Sequence, residues 1–278
     1  MPRHSHRRPP MLRRARAAGC AALVLTFAAL SAGLGACTGA RETPADTAAS
    51  ASTPPATDTS AGATAAAPDA AGDWQPLFDG TDLRQWRGYQ RQTVPAAWRV
   101  ENGALAFIPV AEQDARGDLM SREQFGDFEL EYEWRVVPGA NSGVMWRVSE
   151  DRPRPWHTGP EMQVLDDARH TDGRIPSHRA GALYDLVVPP PDIARPVGEY
   201  NQARVVVRGS RVQLHLNGRQ TADVDFESEA GRQLVAKSKF DTLPGFARNP
   251  RGHIVLQDHG DTVYYRNIRV RALPAGGR

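Results

Sequence analysis

Cysteine is nearly missing from this chain of 278 residues: there are two, Cys20 and Cys37, both among the first forty positions. Whatever folds after them does so without a disulfide. A charge excess of one sign is missing too. Lysine and arginine number 34 against 32 aspartates and glutamates, a formal net charge of +2, and much of the positive surplus lies near the N-terminus. That balance excludes a broad basic surface for nucleic acid. No segment keeps a helical apolar period for more than about two turns, which excludes a helix bundle. There is no glycine-rich phosphate loop, so no nucleotide cofactor is expected, and no closely spaced histidine pair that would make a strong metal motif. The one long apolar run, Cys20 to Leu34, is alanine-rich and short for a membrane span.

What is present begins with an address. Arg13, Arg14 and Arg16 precede that apolar run, which ends in Leu34-Gly35-Ala36-Cys37. A basic stretch, a short apolar stretch and small residues before a cysteine read as a bacterial lipoprotein signal over residues 1–37, with Cys37 as the lipidated residue. From 38 to 72 the chain is alanine, threonine, serine, proline, aspartate and glycine with no periodic apolar set. Such a stretch buries too little surface to offset its ordering entropy, and it reads as a flexible tether. The expectation is a domain over 73–274, lipid-anchored in a bacterial cell envelope, on the periplasmic or outer-membrane side.

The remaining part carries strand punctuation throughout. Trp98 to Glu101 runs into Asn102-Gly103 and returns through Ala104 to Ile108, a hairpin signature. Phe128, Leu130, Tyr132 and Trp134 alternate with Glu129, Glu131, Glu133 and Arg135. Arg204 to Val207, Val212 to Leu216 and Thr221 to Val224 form a meander around Gly209 and Asn217-Gly218, and His253 to Gln257 and Val263 to Arg271 add two strands. Many short strands with tight turns predict an all-β sandwich. The order of the meander resembles the jelly roll of concanavalin-type glucanases and laminin G modules, whose curved sheet holds sugar. Trp86, Trp98, Trp134 and Trp146 fall on apolar faces and are expected in the core.

Candidate chemistry collects in three strands. In an extended chain alternate residues share a face, so Glu161 and Gln163 oppose Met162 and Val164. The same parity places Asn141 and Arg147 opposite Val144 and Trp146, and Gln257 and His259 opposite Ile254 and Leu256. Asp166, Asp167 and His170 follow within a few residues. If the strands share a sheet, Arg147, Glu161, Gln163, Gln257 and His259 can line one polar face, with Asn141 of the same parity as Arg147. A solvated outer face would look the same for any one of these residues; His157 and His178, in proline- and arginine-rich loops, are expected to be solvated, and Asp258, which shares the parity of Leu256, to brace a turn.

A longer series of segments carries a family resemblance: PLFDGTDLRQWRG (76–88), WRVENGAL (98–105), FGDFELEYEWRV (125–136), NSGVMWRV (141–148), GPEMQVLDD (159–167), AGALYDLVVP (180–189), GEYNQARVVVRG (198–209) and LQDHGDTVYYRNIRVR (256–271). In this order they resemble the 3-keto-disaccharide hydrolase family, also described as 3-keto-glucoside 1,2-lyase/3-keto-2-hydroxy-glucal hydratase. The resemblance implies a sugar whose 3-hydroxyl has been oxidised by a separate dehydrogenase, a pathway partner. A C3 ketone acidifies the hydrogen on C2, so a base gives an enolate that expels the C1 oxygen, and water then adds to the 2-hydroxy-glycal. Such a site needs a base near C2, a positive or hydrogen-bonding group at the C3 oxygen, and a donor at the departing oxygen. Glu161 or His259 could serve as base, Arg147 or Lys239 could hold the enolate, and His170 or Asp166 could protonate the leaving oxygen. Asn141, Gln163 and Gln257 suit sugar hydroxyls, and Tyr184 the ring. A divalent metal held by Glu161 and His259 is an alternative source of polarisation. Two rival readings remain at this level: a non-catalytic lectin-like module on a lipid tether, and an ordinary glycosidase using a carboxylate pair such as Glu161 and Asp166.

Overall fold

A computed structural model describes residues 71–274. The expectations for the signal segment 1–37, for Cys37 and for almost all of the tether 38–72 lie outside the described residues. Among the described residues, no helix is long and apolar enough to cross a membrane.

The described residues form thirteen strands: β1 (Gln75–Phe78), β2 (Trp86–Gly88), β3 (Trp98–Glu101), β4 (Ala104–Phe107), β5 (Leu119–Phe125), β6 (Phe128–Val136), β7 (Asn141–Val148), β8 (Glu161–Leu165), β9 (Asn201–Arg208), β10 (Arg211–Leu216), β11 (Arg219–Asp225), β12 (Gly252–Leu256) and β13 (Val263–Ala272). The α-helix among them, α1 (Glu229–Ala236), has eight residues and begins at Ser228, whose hydroxyl accepts the Gly231 amide. Eight strands make one antiparallel sheet in the order β11-β10-β9-β6-β13-β4-β3, with β1 also on β13. Five make the other, β2-β5-β12-β7-β8. The two sheets enclose one apolar core, and the described residues form a jelly-roll β-sandwich.

Alternation explains the larger sheet. Phe128, Leu130, Tyr132, Trp134 and Val136 of β6 enter the core, and the glutamates between them face outward. Register places Arg271, Arg269 and Arg266 of β13 opposite Glu129, Glu131 and Glu133, and each pair forms an ion pair, with Arg204 of β9 adding a second to Glu129. Cross-strand pairs of this kind contribute about 0.2–1 kcal/mol each and fix register more than they add stability. The four expected core tryptophans are all buried. Trp86 donates its indole hydrogen to the Leu77 carbonyl at 2.8 Å, and Trp98 does the same to Gly117.

The smaller sheet departs from simple alternation. Strands β7, β8 and β12 are buried along their whole length, so loops and side chains cover the outward face as well. A small apolar cluster of Met120, Met145, Val148 and Val255 lies on that outward face, with Tyr89 and Trp156 packed against it. β7 also carries a bulge: His253 pairs with Val148 and Val255 with Met145, so two steps on β12 match three on β7. Arg147 takes the extra residue, with φ of 51°. The bulge re-aims everything after Trp146, which is why Val148 joins the outward cluster.

Candidate active site

Register builds the site in rows across the outward face. In the first row Met120, Val255, Met145 and Glu161 are successive cross-strand partners. One step along lie Asp118, next to Leu119 at the start of β5, Gln257, whose amide bonds to the Gly143 carbonyl at 2.9 Å, Gly143 itself and Gln163, its partner on β8. Asn141 and His259 follow. Three of the strands that the sequence singles out are therefore neighbours in one sheet, and they bring Glu161, Gln163, Asn141, Gln257 and His259 together.

Glu161 is buried and leans across β7. A Cβ placed on Gly143 would lie 1.7 Å from its Oε1 and 2.6 Å from its Cδ, so the glycine is the space the carboxyl occupies. Burial beside the methionine cluster pushes this carboxyl up to about 8; the Lys239 ammonium works against that shift, and the charges of Asp118 and Asp172 add to it. Two further acceptors point into the same buried space without a donor, Gln163 Oε1 and Gln257 Oε1. Unmatched buried carbonyls cost roughly 1–3 kcal/mol each, and a hydroxylated ligand would supply what they lack.

Polar links run outward from this point. Gln163 donates to Asn141 Oδ1 at 3.1 Å, and the Asn141 amide nitrogen lies 3.4 Å from His259 Nε2. Partial burial and the neighbouring His170 ring both lower the His259 pKa. The two imidazoles meet edge to face at 5.7 Å between centroids. His170 caps the short turn 171–174, its Nδ1 accepting the Asp172 amide at 3.1 Å, which puts the ring hydrogen on Nε2. Tyr184 is half-buried, stacked on His178 at 4.3 Å, with its hydroxyl 3.5 Å from Asp172 Oδ2. Lys239 sits at the rim, its ammonium 4.2 Å from the centre of the Tyr184 ring and 5.3 Å from Trp156.

Two expected members stand elsewhere. Arg147, turned by the bulge, donates to the carbonyls of Gly126 and Gly209 and pairs with Asp127 at 2.8 Å, so its guanidinium ties loops together instead of facing the site. Asp166 accepts the amides of Gly139 and Ala168 and pairs with Arg169; burial pushes its carboxyl up, but these partners outweigh it and hold the group below the usual range. An anion committed to a turn is a poor proton donor and a poor half of a glycosidase pair with Glu161. His178 is not solvated either: it lies between Asp172 and Asp185 beneath Tyr184. Asp258 braces the 116–118 segment, as its parity suggests, pairing with Arg116 and accepting the Gly117 amide.

For a divalent cation, the described residues that gather suitable atoms within 4.8 Å are His170, His259 and Asp261, and Glu161 is not among them. The fit is partial, because His170 Nδ1 is committed to the Asp172 amide and Nε2 carries the hydrogen. A groove of about 780 Å³ lies on the other sheet, lined in part by Glu131, Glu133, Arg204 and Arg269. Those four side chains are each taken up in an ion pair, Glu131 with Arg269, Glu133 with Arg266 and Arg204 with Glu129, whereas the carboxyl of Glu161 has no such partner.

Residues 73–271 match the profile of the 3-keto-alpha-glucoside-1,2-lyase-like domain. The chain belongs to this family. A 3-keto-disaccharide hydrolase of Bacteroides thetaiotaomicron is 34% identical over 233 residues, covering 74% of this chain and 80% of that protein. A crystal structure from Parabacteroides distasonis, provisionally named a glycosyl hydrolase, superposes with a TM-score of 0.67 at 25% identity, over 73% of this chain and 94% of that one. A second from the same organism gives 0.59 at 23%, over 72% and 100%. Family membership does not itself point to Asp118, which faces the same space; the sequence signal for it was weak, a single acid in a loop with no alternating neighbours.

Proposed function

We propose that this chain cleaves 3-keto-glycosides by elimination, followed by hydration of the 2-hydroxy-glycal. Glu161 carries the reading: a buried, raised carboxyl with no side-chain hydrogen bond of its own, set over a glycine between two unmatched amide carbonyls. A base of this kind is matched to a hydrogen acidified by a neighbouring ketone, since its proton affinity lies near neutral pH. Glu161 takes the C2 hydrogen, the electron pair moves to the C2–C3 bond as the C3 carbonyl becomes an enolate, and the enolate reforms the ketone as the C1 oxygen departs. Lys239 is placed to stabilise the enolate oxygen, and His170 Nε2–H to donate to the leaving oxygen. Gln163 Oε1 and Gln257 Oε1 accept sugar hydroxyls, which fixes the ring over Glu161. Asn141 and His259 hold water at the outer end for the hydration half.

A divalent ion at His259 and Asp261 would polarise the ketone oxygen as a Lewis acid. The name of the Bacteroides relative supports a 3-keto-disaccharide as substrate. Such a ketone must come from a dehydrogenase acting first on the 3-hydroxyl. With the lipobox ending at Cys37, we place the domain on a lipid anchor at the cell envelope.

Glu161→Gln tests the reading. The variant should lose turnover of a 3-keto-glucoside by about 10²–10⁴-fold while keeping its affinity for the sugar. Sugar binding by both proteins with turnover by neither would make the domain a lectin.

A further inference from the structure

The second row of the site contains a carboxylate that the reaction above does not use. Asp118 stands at the start of β5, across β12 from the glycine that Glu161 overhangs. Its Oδ1 is fixed by the Asp258 amide at 2.9 Å, and its backbone carbonyl accepts the Tyr89 amide at 2.9 Å, so side chain and backbone are each held from one neighbouring segment. Among the described residues no side chain donates to Oδ2. Arg116, the guanidinium two residues before it, is paired with Asp258 at 2.7 Å and does not neutralise it.

We propose that Asp118 is the charged partner of Glu161: its free oxygen accepts a sugar hydroxyl hydrogen beside the reacting carbon, and its charge keeps the proton on Glu161 until the sugar arrives. This rests on the reaction proposed above, in which Glu161 is the base. Glu161 is buried and Asp118 half-buried on the same face of the sheet, and the charge of Asp118 acts on Glu161, so they ionise in sequence. Asp118, pushed up by burial to about 6, loses its proton first, held by the Asp258 amide with Asp258 and Arg154 also in reach. Glu161 must then ionise against that charge, in a surround of Lys239, Asp172 and the phenols of Tyr132, Tyr184 and Tyr265. A sugar hydroxyl bonded to Asp118 spreads its charge and eases the ionisation of Glu161, whose proton passes to solvent as the sugar enters. The free carboxylate that takes the C2 hydrogen is thereby formed in the loaded site.

Asp118→Asn keeps the acceptor for the Asp258 amide and removes only the charge. The first readout is the ¹³C carboxyl titration of Glu161 in the ligand-free full chain, assigned with Glu161→Gln. Its midpoint should fall by about half a pH unit or more in the variant. The second is the pH profile of kcat/KM on a 3-keto-glucoside. Its acid limb should move down with the midpoint, and KM should rise as the hydroxyl loses a charged acceptor. An unmoved midpoint overturns the proposal, because a residue that only supports the loop would not shift it. Wild-type protein that titrates as described but does not turn over the ketone would refute the reaction and leave the coupling to be judged by titration alone.

Discussion

At the residue scale, the side chains with the same sequence parity have different fates. Glu161, Gln163 and Gln257 face one space, while Arg147 of the same set is drawn away by a single extra backbone residue. Arg147→Ala should therefore destabilise the fold by about 2–3 kcal/mol, through the Gly126 and Gly209 carbonyls losing their guanidinium donor and Asp127 losing its ion pair, and leave KM unchanged. Chemical denaturation beside steady-state kinetics checks both; a raised KM with unaltered stability would return Arg147 to the site. Glu161 also makes stability depend on pH. Its folded-state value of about 8 exceeds the ordinary 4.5, so between those values the folded chain binds more protons than the unfolded one. Its contribution is fully present below about 4.5 and is lost as pH rises through 8, by up to roughly 5 kcal/mol. Glu161→Gln removes this loss, so its Tm should gain on the wild type between pH 5 and pH 9. Parallel melting curves across that range would mean that Glu161 is not held in a desolvated space.

At the scale of elements, β6 and β13 were legible because their outward charges are solvated and their inward residues are aromatic or branched. Alternation then reports directly on burial. β7, β8 and β12 were legible as strands and as the carriers of polar residues, but not as strands covered on both sides. Burial of that second face depends on Trp156 and the loops around it, which come from distant parts of the chain and leave no periodic trace. The bulge at Arg147 was hidden for a similar reason, since it is set by the pairing with β12. Gly143 has no side chain by which alternation could mark it, and in the structure it is the seat of the Glu161 carboxyl. Gly143→Ala should lower kcat/KM by about 10-fold or more by displacing that carboxyl, at a stability cost of about 1–3 kcal/mol. Wild-type activity in this variant would show that the carboxyl position is not critical.

At the scale of the molecule, the larger sheet closes the core and neutralises its own outer face with glutamate–arginine pairs, and the smaller sheet carries the uncommitted groups. That division suits an enzyme better than a binding module, because its central polar group is an acid raised to the neutral range and not an aromatic platform. The sandwich follows from the sequence pattern and the family motifs, whereas the sharing of one sheet by the three polar strands stood there only as a condition, which the order β12-β7-β8 meets. Asp118 and the commitment of Asp166 to a turn depend on loop backbone amides, which a sequence does not display. The most direct test of the account is product analysis of the full chain with a 3-keto-glucoside in deuterated water, beside the same glucoside with its 3-hydroxyl intact. The account predicts release of the aglycone only from the ketone, with deuterium at C2 of the 3-keto-sugar formed. Release from both sugars, or from the ketone with hydrogen retained at C2, would contradict it.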